Sequence, residues 1–206
     1  MYLSPFPYRA VRPVDAAHSA MPADGTVIRP VTSADGTVIR PVTPADFPHV
    51  LRMNAAWEHY TSPLDIRALE RLHAEAVYHR IAECEGRPAA FLLAFAPGAA
   101  YESPNYRWFS ARSADFCYID RVVVDARYQR RGLGQALYED VAAFAHERGI
   151  ARLTCEVDAE PLNAVSDAFH ARSGFVEVGT QWVADGTKRV SLRERVLAHG
   201  PEGRGR

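Results

Sequence analysis

Val122-Val123-Val124-Asp125-Ala126-Arg127-Tyr128-Gln129-Arg130-Arg131-Gly132-Leu133-Gly134-Gln135-Ala136-Leu137 is the stretch whose reading decides the fold. The β-branched run reads as a buried strand. Gly132 and Gly134 permit a tight turn, and Leu133, Leu137, Val141 and Phe144 then recur at helical spacing. A strand, a basic loop and a helix in that order aim several backbone N–H groups and the positive end of a helix dipole at one point, which suits a phosphate group. Two common phosphate loops are excluded: no Lys-Ser/Thr follows the glycines, and the three-glycine dinucleotide fingerprint is incomplete.

Gln129-Arg-Arg-Gly132-Leu-Gly134 after a valine-rich strand resembles the acyl-CoA pyrophosphate loop of the GNAT superfamily of N-acyltransferases, which carries Gln/Arg-x-x-Gly-x-Gly/Ala there. Downstream, Asn163-Ala-Val-Ser166-Asp-Ala-Phe169-His170-Ala-Arg-Ser-Gly174-Phe175 is similar to that family's Asn-x-x-Ala/Ser-x-x-Phe/Leu-Tyr-x-x-x-Gly-Phe segment. The resemblance runs from about Val38 to Arg193. The chain departs from the pattern at His170, where the family has tyrosine. The resemblance implies acetyl-CoA as co-substrate and an amine acceptor as the second partner.

The length of 206 residues and an apolar content of 48% suffice for one domain with extensions. A formal charge of −1 gives no general attraction to nucleic acid or to an anionic membrane, so neither is expected as a partner. Cys84, Cys117 and Cys155 are odd in number, widely spaced and set in apolar surroundings, which suits reduced thiols better than disulfides or a metal site. No metal is expected, and a cytoplasmic location fits. No apolar run approaches the roughly 18 residues of a membrane span, and the N-terminus lacks the layout of a signal peptide.

Taken in order, residues 1–33 read as an irregular or disordered arm, 34–197 as the folded domain and 198–206 as a disordered tail. The arm ends in an internal duplication: Ala23–Thr32 recurs unchanged as Ala34–Thr43. Two copies do not make a solenoid. Only the second leads into a helix, so Thr37 to Val42 is read as the first strand. The first copy is read as an added edge strand, of this sheet or against a second subunit in a homodimer, or as loose chain. Thr43-Pro44-Ala45-Asp46 starts a helix to about Tyr60, and Ser62-Pro63-Leu64-Asp65 starts another to about His73. Tyr78–Glu83 and Pro88–Phe95 form a hairpin, and Pro97–Ala114 is a long loop. Phe116–Val124 is the central strand, followed by a helix from Gly132 to Arg148 and a strand from Ile150 to Val157. A helix from Asn163 to Ser173 precedes a closing pair, Phe175–Gln181 with Lys188–Leu192. The fold class is therefore α/β (α+β), a GNAT-like mixed and mostly antiparallel sheet flanked by helices.

Cofactor contacts are expected from the loop backbone and arginines, Gln129, Arg130, Arg131, Gly132, Leu133, Gly134 and Gln135, and from the backbone of Val122, Val123 and Val124, pairing with the pantetheine amides like an added strand. Asn163, Ser166 and His170 share one side of their helix; if Phe169 packs inward, that side borders the cofactor cleft. Asn163 is read equally as a pantetheine ligand or as an N-cap. The chemistry needs a base for the amine, N–H donors for the oxyanion and often an acid for the departing thiolate. Asp120 and Glu156 are the candidate bases, each with a structural alternative in pairing with Arg121 or Arg152. His170 is the candidate acid, with cleft lining as its alternative. The aromatics of the long loop, with Glu102, are a candidate amine site. The leading reading is acetyl transfer to a primary amine of a small molecule. The alternatives are protein N-terminal or lysine acetylation, a non-catalytic CoA-binding sensor, and an interaction module built on the repeat.

Overall fold

A computed structural model describes residues 31–32 and 36–197; the readings made for residues 1–30, 33–35 and 198–206 lie outside the described residues. The strands are β1 (Val31–Thr32), β2 (Val38–Pro41), β3 (Tyr78–Cys84), β4 (Arg87–Phe95), β5 (Cys117–Val124), β6 (Arg152–Glu160), β7 (Val176–Val183) and β8 (Lys188–Val196). The helices are α1 (Phe47–Ala55), α2 (Ile66–Glu75), α3 (Pro104–Ser110), α4 (Leu133–Glu147) and α5 (Ala164–Arg172). The strands form one sheet in the order β1-β2-β3-β4-β5-β6-β8-β7. Every pairing is antiparallel except β5 with β6, so the sheet is mixed and mostly antiparallel as expected.

Strand β4, rich in alanine, leucine and phenylalanine, is buried along nearly its whole length because helices cover both sheet faces. On one face α4 lays down Leu133, Leu137, Tyr138, Val141 and Phe144 against Cys117, Ile119, Leu153 and Cys155. On the other, α1 and α2 pack Val50, Met53 and Leu69 against Ile81, Phe91 and Val123, while Tyr106 and Phe109 of α3 join Phe95, Phe116, Tyr118 and Leu192.

Local chemistry sets the element ends. Asp65 accepts from the Ala68 N–H at 2.7 Å and starts α2. Asp46 accepts from the backbone N–H and hydroxyl of Thr43, both at 2.8 Å, at a 3-10 turn over Pro44–Asp46 that leads into α1. Arg40 braces this corner from β2, bonding Asp46 at 2.7 and 2.8 Å and Glu83 at 2.6 Å. The α1 helix stops at Ala55, short of the expected Tyr60, because residues 56–60 close as turns. Val31 and Thr32, the end of the first repeat copy, pair with Ile39 and Val38 of the second.

The largest departure from expectation is α3, which occupies part of the supposed loop from Pro97 to Ala114. Its start carries the same hydroxyl-proline signal as Thr43-Pro44: Ser103 accepts from the Tyr106 N–H, and Pro104 opens the first turn. Among the described residues no helix is long and apolar enough to cross a membrane.

Candidate active site

The site is made by a fault in the sheet. Strand β5 pairs with β4 along its length, but the register jumps between Leu93 opposite Arg121 and Ala94 opposite Ile119, so Asp120 is an extra residue. Such a bulge bends its strand. Toward β6, the ladder holds only at Cys117–Leu153 and Tyr118–Thr154. Beyond that pair the strands part, and among the described residues the edge of β5 from Arg121 to Val124 takes no strand. Val122 and Val124 pack against the α4 cluster and Val123 is buried on the opposite face, so these three residues present backbone to the opening.

Strand β5 runs directly into the glycine loop. Asp125 accepts from the Arg127 N–H at 3.0 Å and turns the chain through a 3-10 turn, Ala126–Tyr128. Arg130 (φ 60°) and Gly132 (φ 79°) then take left-handed backbone, and α4 begins with no side chain capping it. The N–H groups of its first turn therefore keep their capacity to bind an anion. Leu133 is buried and anchors the helix start, while Gln129, Arg130 and Arg131 are exposed around it. Arg127 is paired with Asp125 at 2.8 Å and Arg131 leans on the Cys84 thiol at 3.8 Å; Arg130 has no ion pair among the described residues. The Gln135 side chain is engaged with Glu139 at 2.9 Å, leaving its backbone N–H for the anion. Gly134 lies under the Phe169 ring, 3.7 Å from the place a Cβ would take. The loop and the open edge thus lie end to end.

Both candidate bases lie on the α3 side of the sheet, against Tyr101, Tyr118 and Asn105. The Glu156 carboxylate accepts from Tyr118 Oη at 2.6 Å. Burial pushes its pKa up to about 7; the Tyr118 hydroxyl works against the rise, the Asp120 charge adds to it, and the Asn105 amide opposes it. Asp120 accepts from the hydroxyl of Tyr101 and from Arg121 Nε at 2.5 Å, and both side chains of this ion pair are almost wholly buried. Its sequence alternative, pairing with Arg121, is what the geometry contains. Arg152 pairs with Glu194 at 3.5 Å, so the ion pair envisaged between Arg152 and Glu156 is replaced.

The second motif forms the expected helix, with a departure at His170. Asn163 accepts from the Ser166 N–H at 3.1 Å, the N-cap of its two readings. His170 does not border the opening: it is buried among Tyr138, Phe169 and Phe175. Its Nδ1 donates to the Ser166 carbonyl at 2.8 Å and its Nε2 accepts from Tyr138 Oη at 2.7 Å. Burial lowers its pKa, partly offset by the Ser166 bond, which keeps the ring neutral. A neutral imidazole with both nitrogens engaged has no proton aimed at a thiolate. The loop aromatics are also packing residues, since Tyr106 and Phe109 are core, and exposed Glu102 pairs with Arg107 at 2.8 Å. Sequence reasoning missed Tyr118 and Asn105, and it named Arg121 only as a possible partner of Asp120 and Tyr101 only among the loop aromatics; their contacts with Asp120 and Glu156 become visible once the bulge and α3 are in place.

Residues 43–175 match the model of the acetyltransferase (GNAT) family. The chain belongs to the GNAT acetyltransferase family. This family uses acetyl-CoA, which agrees with the loop and open edge found here. Similar solved structures of the GNAT fold include the ribosomal-protein-S18-alanine N-acetyltransferase from Escherichia coli, at 21% identity and TM-score 0.60, covering 82% of this chain and 99% of that one. Ard1 from Thermoplasma volcanium gives 19% and 0.65, covering 79% and 99%. N-acetylglutamate synthase from Neisseria gonorrhoeae, crystallised with coenzyme A and N-acetyl-glutamate, gives 18% and 0.57, covering 79% of this chain and 35% of that one. No curated protein matches the sequence.

Proposed function

We propose that this GNAT protein moves the acetyl group of acetyl-CoA to a primary amine of a small molecule. The observation that carries the reading is the bulge at Asp120, which frees the Val122–Val124 edge in line with the uncapped start of α4. In this reading the first-turn N–H groups of α4, with Arg130 and Arg131, hold the diphosphate, and the β5 edge orients the pantetheine arm toward the bulge. Acetyl-CoA supplies the acyl group as a thioester. Glu156 takes the proton of the incoming ammonium, directly or through water, because a base near pH 7 is ionised when needed and still accepts a proton. Asn163 keeps its cap and, through its amide nitrogen, is available to the pantetheine.

Transfer to a protein N-terminus or lysine uses the same donor site. Because the E. coli neighbour is named for acting on a protein alanine, peptides with free N-termini belong in the acceptor panel. The test is release of free thiol from acetyl-CoA across a panel of small primary amines and peptides. Turnover with a small amine is expected. Turnover confined to peptides would move the assignment to the protein class, and acetyl-CoA binding without turnover would make the protein a sensor.

A further inference from the structure

A bulge normally places two successive side chains on one face of a strand, and here they are Asp120 and Arg121. Ile119 and Val122 face α4, whereas Asp120 and Arg121 both face the helices opposite, where their charges meet at 2.5 Å with almost no exposure. Burial opposes the Arg121 charge, and the Asp120 carboxylate more than restores it. Each member then reaches a different loop. Arg121 donates to Asn54 Oδ1 at 2.8 Å, to Ser62 Oγ at 3.1 Å and to the Ser62 carbonyl at 3.4 Å, tying the last turn of α1 to the connection between α1 and α2. Asn54 closes that grip by donating to the Ser62 carbonyl at 3.1 Å. Asp120 takes the Tyr101 hydroxyl, and the Tyr101 ring stacks on Phe95 at 4.4 Å, so it holds the segment between β4 and α3.

We propose that the Asp120–Arg121 pair is a positioning device that couples these two loops across the mouth of the cleft and so sets how the acceptor is held. The pair is suited to this because neither charge has solvent to retreat to. If one loop lets go, Arg121 or Asp120 is left with an unmet buried bond, and the pair shifts against the other loop. Asp120 is then a positioning residue, and the base is Glu156 alone. The acceptor part of this inference rests on the proposed amine acetylation; the coupling of the loops does not.

Replacing Arg121 outright would strand a buried carboxylate, so the test removes one hydroxyl on each side, by Ser62→Ala and Tyr101→Phe. The first readout is amide hydrogen exchange without any ligand. Ser62→Ala is expected to speed exchange at Ala99, Ala100 and Tyr101 at least about fivefold, and Tyr101→Phe to do the same at Tyr60 and Thr61, since coupling is reciprocal. Variants that loosen only their own loop overturn the proposal. The second readout uses the best amine of the panel. Each single variant should raise its KM about fivefold, and the double variant by clearly less than the product. Multiplying effects would contradict the coupling. Asp120→Asn should keep the acid limb of kcat but move it to lower pH, because Glu156 ionises more easily without a negative neighbour; loss of the limb would make Asp120 the base. If no amine is acetylated, the acceptor reading fails while the exchange arm still decides the coupling.

Discussion

Replacing Glu156 by glutamine should cost activity and add stability in the same pH range. With the carboxyl at about 7, its ionised fraction rises from about 10% at pH 6 to about 90% at pH 8, so kcat at saturating amine should rise about tenfold across that interval. An ordinary glutamate near 4.5 would give a flat profile there. Glu156→Gln should lower kcat by roughly 10²-fold or more and erase the limb. For stability, the folded protein holds its proton between pH 4.5 and about 7 where the unfolded chain has lost it, so wild-type stability falls as pH rises through that window. The loss at pH 8 is at most about 3 kcal/mol, because the half-buried carboxyl keeps some contact with water. Glutamine escapes that loss. Denaturant melts should show Glu156→Gln more stable than wild type at pH 8 and similar to it near pH 4. A variant that retains the limb near pH 7 with kcat reduced less than tenfold would refute the assignment of Glu156 as base.

At the donor site, Gly134→Ala introduces a Cβ only into ordinary contact with Phe169, so it should fold normally yet weaken acetyl-CoA in calorimetry; Gly132→Val, at φ 79°, should weaken it further. His170→Phe should cost about 1–3 kcal/mol in denaturant melts by leaving the buried Tyr138 Oη without its partner, and should leave the pH limb where it is. A limb that disappears in that variant would restore the acid role. Gly179→Ala places a Cβ 2.7 Å from Trp108 Cζ2, and a loss of about 1–3 kcal/mol in thermal melts is expected from pushing α3 off β7.

The glycine loop was legible because its requirements are local: left-handed backbone at Gly132 and free N–H groups at a helix start are written in adjacent residues. The succession of strands along the chain was legible for a similar reason, since turns such as Glu85-Gly86 and the polar run at Asp185-Gly186 punctuate apolar stretches. The bulge at Asp120 was not, because a β-bulge is a mismatch between two strands and neither strand alone records it. The sequence offered the Asp120–Arg121 pair only as an alternative to a catalytic role, and without the bulge nothing brought both side chains to one face or linked them to Tyr101, Asn54 and Ser62. The polar spacing of Asn163, Ser166 and His170 misled for another reason. An imidazole that finds partners for both nitrogens packs like any aromatic ring, and Ser166 and Tyr138 supply those partners. Helix α3 has only seven residues, too few to show a period, although Ser103-Pro104 marked its start.

The most direct test of the account is amide hydrogen exchange with and without saturating acetyl-CoA. Slowed exchange is expected at the open edge, Val122–Val124, and in the first turn of α4, Leu133–Gln135, with little change along β7 and β8. Unchanged exchange at both places under conditions where acetyl-CoA is bound, or the absence of binding, would contradict the donor site on which the proposed acetyl transfer depends.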